Sequence, residues 1–214
     1  MKVLFAAAEV APFSKAGGLA DVVGSLPKYL ENDAEIAIFT PLHGLIDINK
    51  YEIKELENSA LWLTFNGKGH KFRLFMCKLP GTDINVFFVH NDWYFSCFKD
   101  VYPKWLDPEY EHERYIAFSL AVMEYAKLLN FKADIIHAND WHTAMIPVYL
   151  HSNYRYDEFW KNTKTVFEIH NLAYQGVWFE SVLDFANMRK DIVYNEWGVE
   201  HYGKVNWMKA AINY

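Results

Sequence analysis

Three short stretches of the 214-residue chain bring together residue types that can do chemistry. The first is Glu9-Val10-Ala11-Pro12-Phe13-Ser14-Lys15-Ala16-Gly17-Gly18-Leu19, where a lysine stands just before two glycines at the start of a helical pattern. Glycines permit close approach of backbone amides, a helix N-terminus carries positive potential, and Lys15 adds a full charge. Together they outline an anion site that suits a diphosphate. The stretch matches neither the lysine-bearing phosphate loop nor the GxGxxG dinucleotide fingerprint. A glycine pair at a strand-to-helix turn also serves plain turn chemistry, so both readings stand.

The second stretch, Asp134-Ile135-Ile136-His137-Ala138-Asn139-Asp140-Trp141-His142, delivers polar groups to the C-terminal end of a strand, the edge where open parallel sheets bind ligands. Asp140 and His142 would offer hydrogen bonds to sugar-type hydroxyls; alternatively, Asp140 caps the following helix. A metal reading through His137, Asp140 and His142 has the right residue types but matches no HExxH or Asp-x-Asp pattern. The third stretch, Glu168-Ile169-His170-Asn171-Leu172-Ala173-Tyr174-Gln175-Gly176, again crowds polar side chains at a strand end. One histidine there would read as a structural hydrogen-bonding residue, but joined to two other polar strand ends it points to a site.

The elements that must position these groups are legible as apolar runs at residues 3–8, 36–39, 86–89, 135–136 and 165–169, alternating with helical patterns. That alternation predicts an α/β fold, a Rossmann-like parallel sheet flanked by helices. The first helix begins at the glycines, with Leu19, Val22, Val23, Leu26 and Leu30 on one face. Pro27 removes an internal hydrogen bond, which predicts a kink or an early stop. Residues 110–130 carry the strongest helical pattern and should be buried over more than half their girth. Between residues 52 and 75, alternation around Asn66-Gly67-Lys68-Gly69 predicts a β-hairpin added to the parallel sheet. At the C-terminus, Val205, Met208 and Ile212 begin a helical pattern that runs out at Tyr214 without a stop signal, as expected of a fragment of a longer protein.

Composition bounds the function. A net charge of −6 argues against a surface that neutralises nucleic-acid phosphates. Cys77 and Cys97 fit no zinc or thioredoxin spacing, and no stretch is long and apolar enough for a membrane span, so a cytoplasmic protein is expected. Aromatic residues make up 18%, and Trp93, Tyr94, Phe95, Phe98, Tyr102 and Trp105 crowd together beside polar neighbours. Such a cluster is expected to be partly exposed, for stacking on sugars or a partner, or else to fill core volume.

Residues 2–30 (KVLFAAAEVAPFSKAGGLADVVGSLPKYL), 134–150 (DIIHANDWHTAMIPVYL) and 167–178 (FEIHNLAYQGVW) resemble the bacterial glycogen synthase and plant starch synthase family, in that order along the chain. The Lys-x-Gly-Gly-Leu loop is far more specific to that family than a generic glycine motif. The resemblance implies the N-terminal, acceptor-side half of a two-domain GT-B glycosyltransferase, which transfers glucose from ADP-glucose to the non-reducing end of an α-1,4-glucan with retention and without a cofactor. The C-terminal nucleotide-binding domain, which supplies an arginine, a lysine and a glutamate, is not in these 214 residues, so the chain alone is expected to be inactive. By the same resemblance, Lys15, Gly17 and Gly18 meet the donor's diphosphate and glucosyl group, and His170 and Asn171 lie against the donor glucose. Asp21, Asp140, Trp141 and His142 line the acceptor side, with Tyr94 or Phe95 near the sugar. Two loops depart from the family pattern: Pro41-Leu42-His43-Gly44 replaces Pro-x-Tyr-Gly, and Phe98-Lys99-Asp100 replaces an arginine-proline.

In that reaction, departure of a nucleoside diphosphate builds positive charge on the sugar. Lys15 and the glycine amides would stabilise the leaving phosphates, His170 would serve the donor sugar through its carbonyl and ring, and Asp140 would orient the acceptor hydroxyl. Two other classes remain open from the residues alone. One is a metal-dependent hydrolase on His137, Asp140 and His142; the other is a non-catalytic glucan-binding module built on the aromatic cluster.

Overall fold

A computed structural model describes residues 1–214. Five parallel strands form its centre: β1 (Lys2–Ala6), β2 (Glu35–Pro41), β6 (Asn85–His90), β7 (Ile135–Asn139) and β8 (Lys164–Glu168). Their spatial order is β6-β2-β1-β7-β8, and β5 (Lys68–Lys78) extends the sheet antiparallel to β6. On β5 lie the short β3 (Lys54–Glu55) and β4 (Leu61–Phe65). Each apolar run therefore becomes a strand; β1, β2 and β6 are buried on both faces as a parallel sheet requires, while β8 at the sheet edge is only half-buried. Alternation divides β1 between two cores: Val3 and Phe5 face the side covered by α1 (Gly18–Leu30), while Leu4 and Ala6 face α2 (Pro108–Leu128).

The β4–β5 hairpin turns at Asn66 and Gly67, both at positive φ, with Phe65 paired to Lys68 across the two-residue loop. α2 starts at Pro108, two residues before its helical pattern. Asp107 caps it by accepting from the Glu109 and Tyr110 amides at 2.8 and 3.4 Å. The early stop expected at Pro27 does not occur, and α1 continues to Leu30. Pro27 is buried with Val23 and Gly24, and only three residues follow it, so burial offsets a single lost bond to the Val23 carbonyl.

The second half adds α3 (Met145–His151), α4 (Val182–Phe185) and α5 (Lys190–Val193), then a small antiparallel sheet of β9 (Val177–Trp178), β10 (Glu200–His201) and β11 (Lys204–Asn206). It closes with α6 (Trp207–Asn213), so Val205 belongs to a strand and the terminal helix starts two residues later than its apolar spacing suggests. No helix is long and apolar enough to cross a membrane.

Candidate functional site

Because β1, β7 and β8 are adjacent and parallel, the loops that follow them share one edge of the sheet. All three stretches singled out in the sequence emerge there.

After β1, the chain folds back so that the Glu9 carboxylate lies behind the glycine loop. Glu9 is buried; its Oε2 accepts from the Ala16 amide in a short hydrogen bond and from the Gly17 amide at 3.1 Å. The anion position expected for a diphosphate thus holds, on its inner side, a carboxylate of the chain itself, and the Gly17 N–H is committed to it. On the outer side, Lys15 Nζ pairs with Asp21 at 2.7 Å, both side chains about 55% exposed. Asp21, expected on the acceptor side, sits in the first turn of α1, where its charge suits the helix dipole and tethers the lysine. Glu9 is a residue that the motif reading passed over. The available signal was an acid at a strand end, directly ahead of a glycine-led helix start. Glu9→Ala should leave two loop amides without their acceptor, at about 1–3 kcal/mol. Hydrogen exchange at Ala16 and Gly17 should accelerate, and unchanged exchange would contradict this role.

After β7, Asp140 adopts φ 56° and ψ 178°, a region costly for any residue with a Cβ and one that concentrates at functional sites. Its amide continues the ladder to the Glu168 carbonyl at 2.8 Å. Its side chain does not cap the following 3-10 turn, Trp141–Thr143, as one reading had it. Instead Oδ1 reaches across to β8 and accepts from the His170 and Asn171 amides at 2.8 and 3.2 Å. Asp140 therefore binds the second loop to the third.

Trp141 and His142 are both buried, packed in a wall of rings with His112, Tyr115 and Tyr102 at centroid distances of 4.5–5.3 Å. Burial, then the Arg114 charge, hold the His142 imidazole well below its ordinary pKa. Gly176 at the end of the third stretch has φ +65°, and a Cβ there would lie 2.6 Å from Trp141 Cε3. Gly176→Ala should cost about 1–3 kcal/mol, read as a fall in Tm of about 2–4 °C per kcal/mol. An unchanged Tm would show that the loop is not seated on Trp141.

In the third loop, His170 Nε2 lies 3.0 Å from Asn139 Oδ1 and 3.8 Å from Glu168 Oε2, while Asn171 is exposed. The residues of the metal reading do not converge: His137 turns toward Glu168 at 3.4 Å, Asp140 toward the His170 amide, and His142 into the ring wall. No group of three or more His, Cys, Asp or Glu is placed to hold a metal ion.

The aromatic cluster divides. Trp93 and Trp105 are 65% and 77% exposed, but Tyr94 and Phe95 are buried and offer no face to a sugar, contrary to expectation. The cause is the π-helical turn Asp92–Ser96, capped by the Asn91 side chain, which turns Tyr94 onto Phe72 and Phe95 onto Phe118. The two divergent loops meet each other: Ser96 Oγ donates to the Leu42 carbonyl at 3.1 Å, and Gly44 packs against the Ser96 and Phe98 carbonyls with no room for a Cβ.

The starch synthase catalytic domain family matches residues 2–214. The glycogen synthases of Thermotoga maritima and Thermosipho africanus are 44% and 41% identical over 99% of this chain. The chain spans 43% of the length of each of these relatives. Among solved structures, the catalytic domain of starch synthase IV from Arabidopsis thaliana, bound to ADP and acarbose, superposes over 99% of this chain and 43% of its own, with a TM-score of 0.87 and 26% identity. With its parallel sheet and three strand-end loops matched throughout, the chain belongs to the starch synthase catalytic domain family.

Proposed function

We propose that these 214 residues form the N-terminal, acceptor-side domain of a retaining glucosyltransferase that moves glucose from ADP-glucose to the non-reducing end of an α-1,4-glucan. A second domain would hold most of the nucleotide. The observation that carries this reading is the convergence of three strand ends on one edge, with a lysine ahead of the helix N-terminus after β1 and with His170 and Asn171 held by Asp140 after β8.

The chemistry follows from the charges. Loss of a nucleoside diphosphate is assisted by a cation and by preorganised amide donors at the departing phosphates. With the Gly17 N–H given to Glu9, the phosphate falls to the Lys15 ammonium and the Gly18 amide, one of the unpaired donors at the start of α1. Donor binding then exchanges the Lys15–Asp21 pair for a lysine–phosphate pair. This exchange is easy because the existing pair is exposed and worth little. Asp140 acts by holding the His170–Asn171 backbone, which places the His170 carbonyl and ring against the donor glucose; Trp141 and His142 form the wall behind it.

ADP-glucose is favoured over UDP-glucose because the superposed starch synthase was solved with ADP. The test is a comparison of kcat/KM for the two donors, with glycogen as acceptor, in the polypeptide that continues these residues into the second domain. A preference for ADP-glucose of about tenfold or more, equivalent to about 1.4 kcal/mol, is the expected result. Equal rates or a UDP-glucose preference would overturn the donor assignment.

A further inference from the structure

Asn139 closes β7 and is wholly buried. An asparagine amide has one end that only donates and one that only accepts, so its neighbours decide its orientation. Nδ2 lies 3.1 Å from the Ala6 carbonyl oxygen and 3.1 Å from the His137 carbonyl oxygen. Both are acceptors without exception, so the NH2 group faces β1 and Oδ1 faces the third loop. There it meets His170 Nε2 at 3.0 Å. An oxygen with no proton to give requires one from the ring, and the other group near that nitrogen, Glu168 Oε2 at 3.8 Å, is also an acceptor. The proton of the neutral ring must therefore sit on Nε2. Nδ1 then carries the lone pair, and it makes no hydrogen bond within the chain.

The two N–H bonds of Nδ2 are taken by the Ala6 and His137 carbonyls, so one buried amide reads a main-chain carbonyl of β1 and sets the proton on His170.

We infer that Asn139 is a positioning residue that locks His170 as the Nε2–H tautomer and so leaves Nδ1, which has no partner within the chain, as a hydrogen-bond acceptor. Resting on the proposed function, that lone pair would accept a hydrogen bond from a hydroxyl of the bound glucosyl group, whereas the tautomer itself does not depend on what the site binds. Proton donation from Nδ1 of the neutral ring is excluded, which makes His170 an acceptor in the resting site rather than a general acid.

The experiment is long-range 1H–15N correlation of the 214-residue chain labelled at histidine, which reads the tautomer without any need for activity. His170 should appear as a single Nε2–H species whose ring proton exchanges slowly with water. Asn139→Leu, which cannot accept, should lose that slow proton. Asn139→Asp, which keeps an oxygen in place, should retain it. An Nδ1–H ring in the unsubstituted chain overturns the inference, as does a slow Nε2 proton persisting in a folded Asn139→Leu. Should Asn139→Leu not fold, the unsubstituted chain and Asn139→Asp still decide the matter. Failure of glucosyl transfer would touch the proposed function and leave this result unchanged.

Discussion

Asp140→Ala is expected to lower glucosyl transfer about 100-fold or more in the polypeptide carrying the second domain, because it releases a loop whose placement the reaction requires. Oδ1 holds the His170 and Asn171 amides through charge-assisted bonds of 2.8 and 3.2 Å, and Asp140 itself is buried. Asp140→Asn keeps an oxygen at that position and should retain most of the rate. Asp140→Gly separates the side chain from the backbone. At φ 56° and ψ 178° a Cβ is costly, so glycine should be more stable than alanine by about 1 kcal/mol while losing transfer to the same degree. Chemical unfolding of both variants beside the transfer assay checks this. Full activity in Asp140→Gly would show that the loop holds its place without the carboxylate.

Acid should weaken the fold well above the carboxylate range. His43 is buried with Nε2 on the Ala8 carbonyl at 2.8 Å, and burial lowers its pKa from 6.5 to about 4; the Arg114 charge adds to this, while the Ala8 bond and Asp100 oppose it. The folded state therefore keeps a neutral ring that the unfolded chain protonates below about pH 6.5. Stability is complete above that pH and is lost as pH falls toward 4. At about 1.4 kcal/mol per unit the full loss is about 3 kcal/mol, with about 2 kcal/mol gone by pH 5. His142, held well below 6.5 by its own burial, adds to the loss in the same direction. Glu111 and Glu113, whose carboxyls burial raises, oppose it at lower pH. Comparing unfolding at pH 7 and pH 5 for the unsubstituted chain and His43→Gln isolates the histidine. The variant should lose less stability between the two values, and parallel curves would contradict the assignment.

The central strands were legible because a strand buried on both faces writes itself as an unbroken apolar run, and the hairpin because Asn66-Gly67 suits two successive positive φ values. The three site loops were legible as polar clusters following those runs. What the loops do to one another was not. Glu9 meets amides seven and eight residues further on, and Asp140 meets amides thirty and thirty-one residues away, so neither pairing has a local pattern. Tyr94 and Phe95 misled for a related reason. Polar neighbours suggested exposure, but the Asn91-capped turn sends the two successive rings of Tyr94 and Phe95 inward and leaves Trp93 outside. The small sheet of β9, β10 and β11 was also missed, since strands of two or three residues are too short to show a period.

If this chain is half of a glucosyltransferase whose donor phosphates are met by Lys15, the decisive measurement is glucose incorporation into glycogen from ADP-glucose by the polypeptide that carries both domains, by its Lys15→Ala variant, and by the 214-residue chain alone. Transfer is expected from the first, a loss of about 100- to 1,000-fold in the second, and none from the third. Absence of transfer from any nucleotide-glucose by the two-domain polypeptide, or an undiminished rate in Lys15→Ala, would contradict this assignment.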